Sequence, residues 1–377
     1  MTRIALLSLL LPSLVFAADP VGIIRLPDKA LVPDVAMDAG GVLHMVYGLG
    51  DHALYVRSSD NGSTFTEPVR VNAEGKVQLT MGERGPKLAL GAGGSVHIVW
   101  ADRWSPGAKV YVRHARSIDG GKSFEPAKQV STMPGIDGAT LAADAEGNVL
   151  AFWHVFDPPQ QEIPNAHWIY LARSIDNGKT FTPPERVKIA NAKDLACSMC
   201  MMRPRIGRDG NVYLAFRSAE NNIRDFYILK SRTTENNFTA IRVNNDNWEL
   251  KTCPMCGPEL TLDAKGGALC AFMSRNRVYW SVLDAQAGAS RLHIATPASE
   301  KDEIYPAAVA NDRGQVLFLW QVGPMSVKGQ ATVKWAIYAA DGAFTGQQGT
   351  VGVSFSGTKP TAFAGTDGRF HILTTAR

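Results

Sequence analysis

Apolar and polar positions alternate along this chain in short runs, and one phrase recurs from end to end. The phrase is a short segment, often opened by proline, then a turn containing glycine, then an alternating apolar strand. It reads PDVAMDAGGVLHMVY from Pro33, PKLALGAGGSVHIVW from Pro86, ATLAADAEGNVLAFW from Ala139 and RPRIGRDGNVYLAF from Arg203. It continues as PELTLDAKGGALCAF from Pro258, PAAVANDRGQVLFLW from Pro306 and PTAFAGTDGRFHIL from Pro360. Equivalent strand positions are Leu43, Val96, Val149, Val212, Leu269, Val316 and Phe370, at spacings of 53, 53, 63, 57, 47 and 54 residues. Period-2 alternation turns one face of each strand inward and the other outward. A third strand rich in Tyr, Val and Arg follows each hairpin, then a fourth such as Pro68-Val69-Arg70-Val71.

Four short antiparallel strands in a unit of about fifty residues describe a propeller blade. No segment has helical period and length, so a helical solenoid is excluded. The expected fold is all-β, a β-propeller of four-stranded antiparallel blades. Six units are complete, while the seventh shows only two strands before Arg377. The unassigned strand Val21-Gly22-Ile23-Ile24-Arg25-Leu26 is placed to complete it, joining the termini and removing exposed edges. The pattern favours seven blades, with six as the alternative.

Composition adds limits. The 377 residues are 45% hydrophobic and 20% charged, which is globular usage, and repeats rather than separate domains account for the length. A net charge of +4, with no basic block interleaved with aromatics, excludes nucleic acid as an expected partner. At the N-terminus, MTRIALLSLLLPSLVFAADP sets Arg3 ahead of an apolar run that ends in Val15-Phe16-Ala17. This is the layout of a cleavable export signal over residues 1–18, cut after Ala17 or Ala18, leaving a propeller over 19–377. The expected location is periplasmic or secreted. That run is too short to span a bilayer, and no later stretch is apolar enough, so no membrane span is expected.

Three turns after third strands read SSDNGSTF from Ser58, SIDGGKSF from Ser117 and SIDNGKTF from Ser174, and a degenerate fourth runs from Ser231 to Phe238. They closely resemble the Asp-box hairpin of the sialidase (neuraminidase) repeat family, and the resemblance covers essentially the whole mature chain. Locally, Asp accepts hydrogen bonds from the turn backbone, Gly supplies a positive φ and the aromatic residue pins the hairpin to the blade. In the family this box builds architecture rather than catalysis. His44, His97 and His371 share one repeated strand position and read as packing residues.

What the resemblance implies for chemistry is specific. Family catalysis uses three arginines on a substrate carboxylate, a Tyr nucleophile with a Glu partner, and an Asp acid/base. Arg217 resembles the family's arginine at the end of a second strand, Arg275 lies at the comparable place one blade later, and Tyr305 resembles the nucleophile. Arg84 and Arg203 precede inner strands and are candidates for the cationic cluster, with Asp137 as acid/base by position. The chain departs from the family in two places. It has no Arg-Ile-Pro motif near the N-terminus, and Cys197-Ser198-Met199-Cys200 stands where the family places its Glu.

Four of the five cysteines form two Cys-x-x-Cys pairs, in LACSMCMMRPRI and KTCPMCGPEL; Cys270 reads as core filler. Cys200 and Cys256 lie 12 and 13 residues before Val212 and Leu269. Each pair therefore sits in the loop leading to the inner strand of its blade, in consecutive blades near the channel mouth where propellers bind. Three chemistries fit. Each pair can close as a local disulfide in an oxidising compartment. Alternatively, Cys197, Cys200, Cys253 and Cys256 can converge on one soft ion. Four thiolates suit zinc, while thiolates with Met199, Met201, Met202 and Met255 nearby suit copper(I). Thiol exchange is the third option, without its usual βαβ setting. His154 and His167 lie off the repeat pattern as candidate nitrogen ligands.

The expectation is an exported binding propeller with a soft-metal or redox-responsive cysteine site. An exo-α-sialidase-like hydrolase acting on an anionic glycan is the alternative, and a scaffold docking another exported protein is the third.

Overall fold

Each repeated phrase folds as its alternation dictates, because the turn between its two strands is closed by its own side chains. In the first repeat Asp38 Oδ1 accepts the N–H groups of Gly40 and Val42 at 2.9 and 2.8 Å. Gly41 takes a φ of 79°, the left-handed conformation that residues with a Cβ avoid. Asp144 repeats the arrangement, accepting from Glu146 and Asn148.

The computed structural model describes residues 19–375 apart from 28, 80–82, 108, 134–135, 156–165, 194, 264–265, 285–288, 291–292, 299, 301, 324–330 and 355–358. The proposed leader over residues 1–18 lies outside the described residues. The strands form seven sheets. Their inner strands are Leu31–Met37, Lys87–Leu90, Ile136–Ala143, Arg203–Ile206, Glu259–Leu262, Glu303–Ala310 and Thr361–Ala364. These line the axis in chain order, each beside the next and the last beside the first. We number the blades 1 to 7 in that order. The expected seven-bladed propeller is observed, with six sheets carrying the four-strand antiparallel path and two of those adding one short strand.

Blade 7 has three strands among the described residues. The N-terminal strand Val21–Leu26 does complete it, running parallel to Phe370–Thr375 from Val21 opposite Phe370 to Leu26 opposite Thr375.

The hydrophobic core is a set of layers between neighbouring blades. Phe152 and Leu171 of blade 3 pack on Val212, Leu214 and Phe216 of blade 4, and other blade pairs meet in the same way. The three Asp-box turns share one geometry. Ser58, Ser117 and Ser174 Oγ each accept the N–H of the glycine four residues on, at 2.8 Å. The box aromatic reaches further than its own blade. Phe124 of blade 2 stands edge-on to Tyr55 of blade 1, and Phe181 of blade 3 edge-on to His114 of blade 2. The repeated histidines are held inside blades as packing residues. His44 contacts Tyr55 Oη at 2.6 Å, and His371 contacts Asp367 at 3.1 Å. No helix among the described residues is long and apolar enough to cross a membrane.

Candidate metal centre

The two cysteine pairs lie where their spacing from the inner strands predicts, in the loops leading to blades 4 and 5. A short strand, Leu195–Cys197, pairs with the start of the third strand of blade 3 and fixes the first pair. A tight turn follows, with the Cys200 N–H donating to the Cys197 carbonyl at 3.2 Å. The sulfurs of Cys197, Cys200 and Cys253 converge, at 3.1 Å for 197–253, 3.5 Å for 197–200 and 3.6 Å for 200–253. These separations are outside S–S bonding distance. All three residues are buried, at 0, 2 and 8% exposure.

The fourth cysteine goes elsewhere. Cys256 turns into the apolar layer between blades 5 and 6, among Trp280, Tyr305 and Phe318, and its sulfur accepts the Tyr305 N–H at 3.4 Å. The cause lies between the cysteines of the second pair. Met255 takes a φ of 49°, which reverses the chain after Cys253 and sends Cys256 inward. The structure thus brings together three of the four candidate ligands.

Protons within the cluster are unequally held. The Cys197 thiol donates to Cys253 Sγ, Cys200 Sγ lies 3.6 Å from it, and the Met255 N–H joins them at 3.4 Å, so the Cys253 thiol sits below its ordinary range. Burial and the neighbouring sulfurs push Cys200 up, and burial pushes Cys197 up to about 12. Burial, with the Glu83 carboxylate nearby, also raises Cys256, to about 12.

The two candidate histidines stand at the edge of this cluster. His154 is buried at 1% exposure, faces Asp137 across the sheet and bonds to the Ser198 backbone between Cys197 and Cys200. Burial, with His167 and Arg84 nearby, lowers its pKa to about 3, so it is neutral. Its Nε2 is buried without a hydrogen-bond partner among the described residues, and its ring lies 6.1 Å from that of His167. Three converging sulfurs and an orphaned neutral imidazole nitrogen suit a soft ion.

One residue that sequence reasoning missed holds the site together. Glu83, 2% exposed, accepts the Gly257 N–H at 3.0 and 2.8 Å and the Met201 N–H at 3.4 Å. One carboxylate from blade 2 therefore ties the backbone just after each cysteine pair. Glu83 stands outside the repeated phrase, and nothing local in its sequence marks it.

Each sialidase-type residue is engaged by groups of this chain. Arg217 is 1% exposed, and its guanidinium donates to the carbonyls of Cys256, Arg224 and Met273 while lying 4.0 Å from the Phe226 ring. Arg275 is exposed in a hairpin turn and donates to the Asp246 carbonyl at 3.1 Å. Tyr305 is 2% exposed at an irregularity in its strand, and burial raises its phenol. Arg84 is paired with Asp137, and Arg203 with Asp34 and Glu259 at 2.5 Å each. The arginines are thus spent on carboxylates and carbonyls of this chain. Arg203, Asp34 and Glu259 line a polar axial cavity of about 880 Å³.

No family model matches the chain, and no curated protein matches it. Solved structures do. A protein of unknown function from Dyadobacter fermentans superposes with a TM-score of 0.56 at 17% identity, over 84% of this chain and 96% of that one. An α-L-arabinanase of Penicillium chrysogenum complexed with arabinobiose gives 0.55 at 13%, over 84% and 94%. A Hadza microbial sialidase gives 0.51 at 15%, over 78% and 63%. At these identities the likeness is one of fold alone, and this chain is a seven-bladed β-propeller.

Proposed function

We propose that this protein is an exported, sialidase-like propeller that binds a soft monovalent metal ion, Cu(I), through Cys197, Cys200 and Cys253. One observation carries the reading: three buried sulfurs from two consecutive blades lie within 3.6 Å of one another, and nothing but the fold brings them there. Structural zinc sites are closed, four-coordinate and tetrahedral, and the cysteine that would supply the fourth thiolate faces away. Soft thiolates select copper(I), and Met199 and Met255 pack around the trio without being needed as ligands. The cysteines give up their protons as the ion binds. The leader-like residues 1–18 support export, where reduced cysteines persist only if metal or carrier protects them.

A sialidase-type or other glycan-directed activity has the fold's neighbours in its favour. The buried, internally bonded Arg217 and Tyr305 count against it.

The test is titration of reduced protein with Cu(I) against a competing chelator. One ion should bind per chain, Cys200→Ser should weaken binding by about a hundredfold or more, and Cys256→Ser should leave it within about threefold. Equal losses in the two variants, or tighter and preferred zinc binding, would overturn the reading.

A further inference from the structure

Buried sulfurs need a route by which an ion reaches them, and most of the surroundings of this trio are closed. The Arg84–Asp137 pair and His154 occupy one side, and the Glu83 clamp holds the loops from below. Two methionines also pack on the trio. Met199 and Met255 stand at the same place in their pairs, immediately before the second cysteine. Both are half-buried, and both pack directly on the three-sulfur cluster. Met255 is held in the left-handed backbone region, an uncommon state for a residue with a Cβ that surrounding structure must enforce. Met255, half-buried, thus packs on the cluster while keeping part of its surface in solvent.

We propose that Met199 and Met255 form an exchange port, two transient thioether ligands that pass Cu(I) between a small-thiol or thiolate carrier and the three cysteines. This rests on the Cu(I) reading of the trio. Thioethers are neutral and soft, so they take Cu(I) without losing a proton and bind it more weakly than thiolate does. In the first step a donor S–Cu bond breaks as a Met Sδ–Cu bond forms, and the donor thiolate leaves with its electron pair. In the second the Met Sδ–Cu bond gives way to Cys Sγ–Cu, and a cysteine proton passes to the released thiolate or to water. Copper stays monovalent throughout, and no oxidant or reductant takes part.

A port that is not a resident ligand speeds loading and unloading equally and leaves the equilibrium alone. The experiment loads reduced protein from Cu(I)–glutathione in a stopped-flow instrument, following thiolate-to-copper absorption, beside an equilibrium competition titration. Leucine replaces methionine at nearly constant volume, so Met199→Leu/Met255→Leu should fold, and its thermal melt checks this. The double variant should keep its Kd within about threefold while loading and unloading both slow by about tenfold or more. Unchanged rates at intact affinity overturn the port, and affinity falling in step with the rates makes the methionines resident ligands and overturns it too. If wild type binds no Cu(I) at equilibrium, the metal reading itself has failed, an outcome the titration separates from the other two. Ag(I), which has no accessible redox change here, should repeat the pattern; a normal Ag(I) loading rate in the double variant would likewise overturn the port.

Discussion

Cys200 and Cys256 are the same residue at the same place in the same four-residue pattern, and they have opposite fates. Cys200 joins the sulfurs, whereas Cys256 fills a core layer and accepts a backbone N–H. The pattern itself was legible in the sequence; the choice between the two was not, because it depends on the Met255 backbone and on Glu83, distant in the chain. Arg217 shows the same limit. Its position at a strand end resembles a substrate arginine, yet carbonyls from other segments take up its guanidinium. Glu83 is where this dependence is most concentrated. Removing its carboxylate in Glu83→Ala leaves two buried N–H groups unpaired, each worth about 1–3 kcal/mol. The variant should lose about 3 kcal/mol of stability by denaturant unfolding and at least about tenfold in Cu(I) affinity, because both cysteine loops lose their common tether. Wild-type affinity in a folded Glu83→Ala protein would remove Glu83 as the residue that positions the site.

The hairpins were read correctly because their causes are local. In each Asp-box the Ser, Asp and Gly bond within four residues of one another, so the motif can be read without knowing what lies across the blade. What could not be read was the reach of the side chains between blades. Blades 2 and 3 meet at a stacked pair, His97 Nδ1 against His114 Nε2 at 3.2 Å, closed over by Gly178. At φ 74° Gly178 has a left-handed backbone, and a Cβ there would lie 2.8 Å from His97. Burial lowers His97 from its ordinary 6.5 to about 4 and holds His114 well below that same 6.5. Both are therefore neutral in the folded chain, while the unfolded chain protonates them below about 6.5. Their effect on stability is nil above that pH and grows as pH falls toward 4, where folding is opposed. One unit below 6.5 the cost is about 1.4 kcal/mol per histidine. Asp60, lowered to about 2 chiefly by the Thr64 hydroxyl, has the opposite dependence, adding stability that disappears only below its ordinary 3.8. Thermal melts from pH 8 to 5 should show the midpoint falling below 6.5. His114→Gln should make that fall shallower, and an unchanged slope would clear His114 of responsibility.

At the scale of the whole molecule the repeat count and the closure were both visible, since the seventh unit lacked strands and a spare strand stood at the other end. The parallel direction of that strand was not visible, because alternation has no sense of direction. Val21, Ile24 and Leu26 bury their side chains in the closing layers, at 5, 9 and 4% exposure. Three such aliphatic side chains contribute about 5 kcal/mol or more. Deleting residues 19–26 should lower the melting temperature markedly and expose the edge of Phe370–Thr375, which would show as self-association in size-exclusion chromatography. A monomer with unchanged melting would mean the ring holds without its clasp.

That clasp also sets an order of assembly. Among the described strands Val21–Leu26 is made before the others and its partner Phe370–Thr375 after them, and joining them closes a loop of about 350 residues at an entropic cost of about 5 kcal/mol. The three sulfurs and the Glu83 carboxylate all lie between residues 83 and 253, within chain that is available long before the final strand. Cysteine loops from blades 4 and 5 can thus meet while the two ends of the chain are still apart. On the proposed Cu(I) reading, the metal is gathered by an open arc of blades, and the circle is drawn around it afterwards.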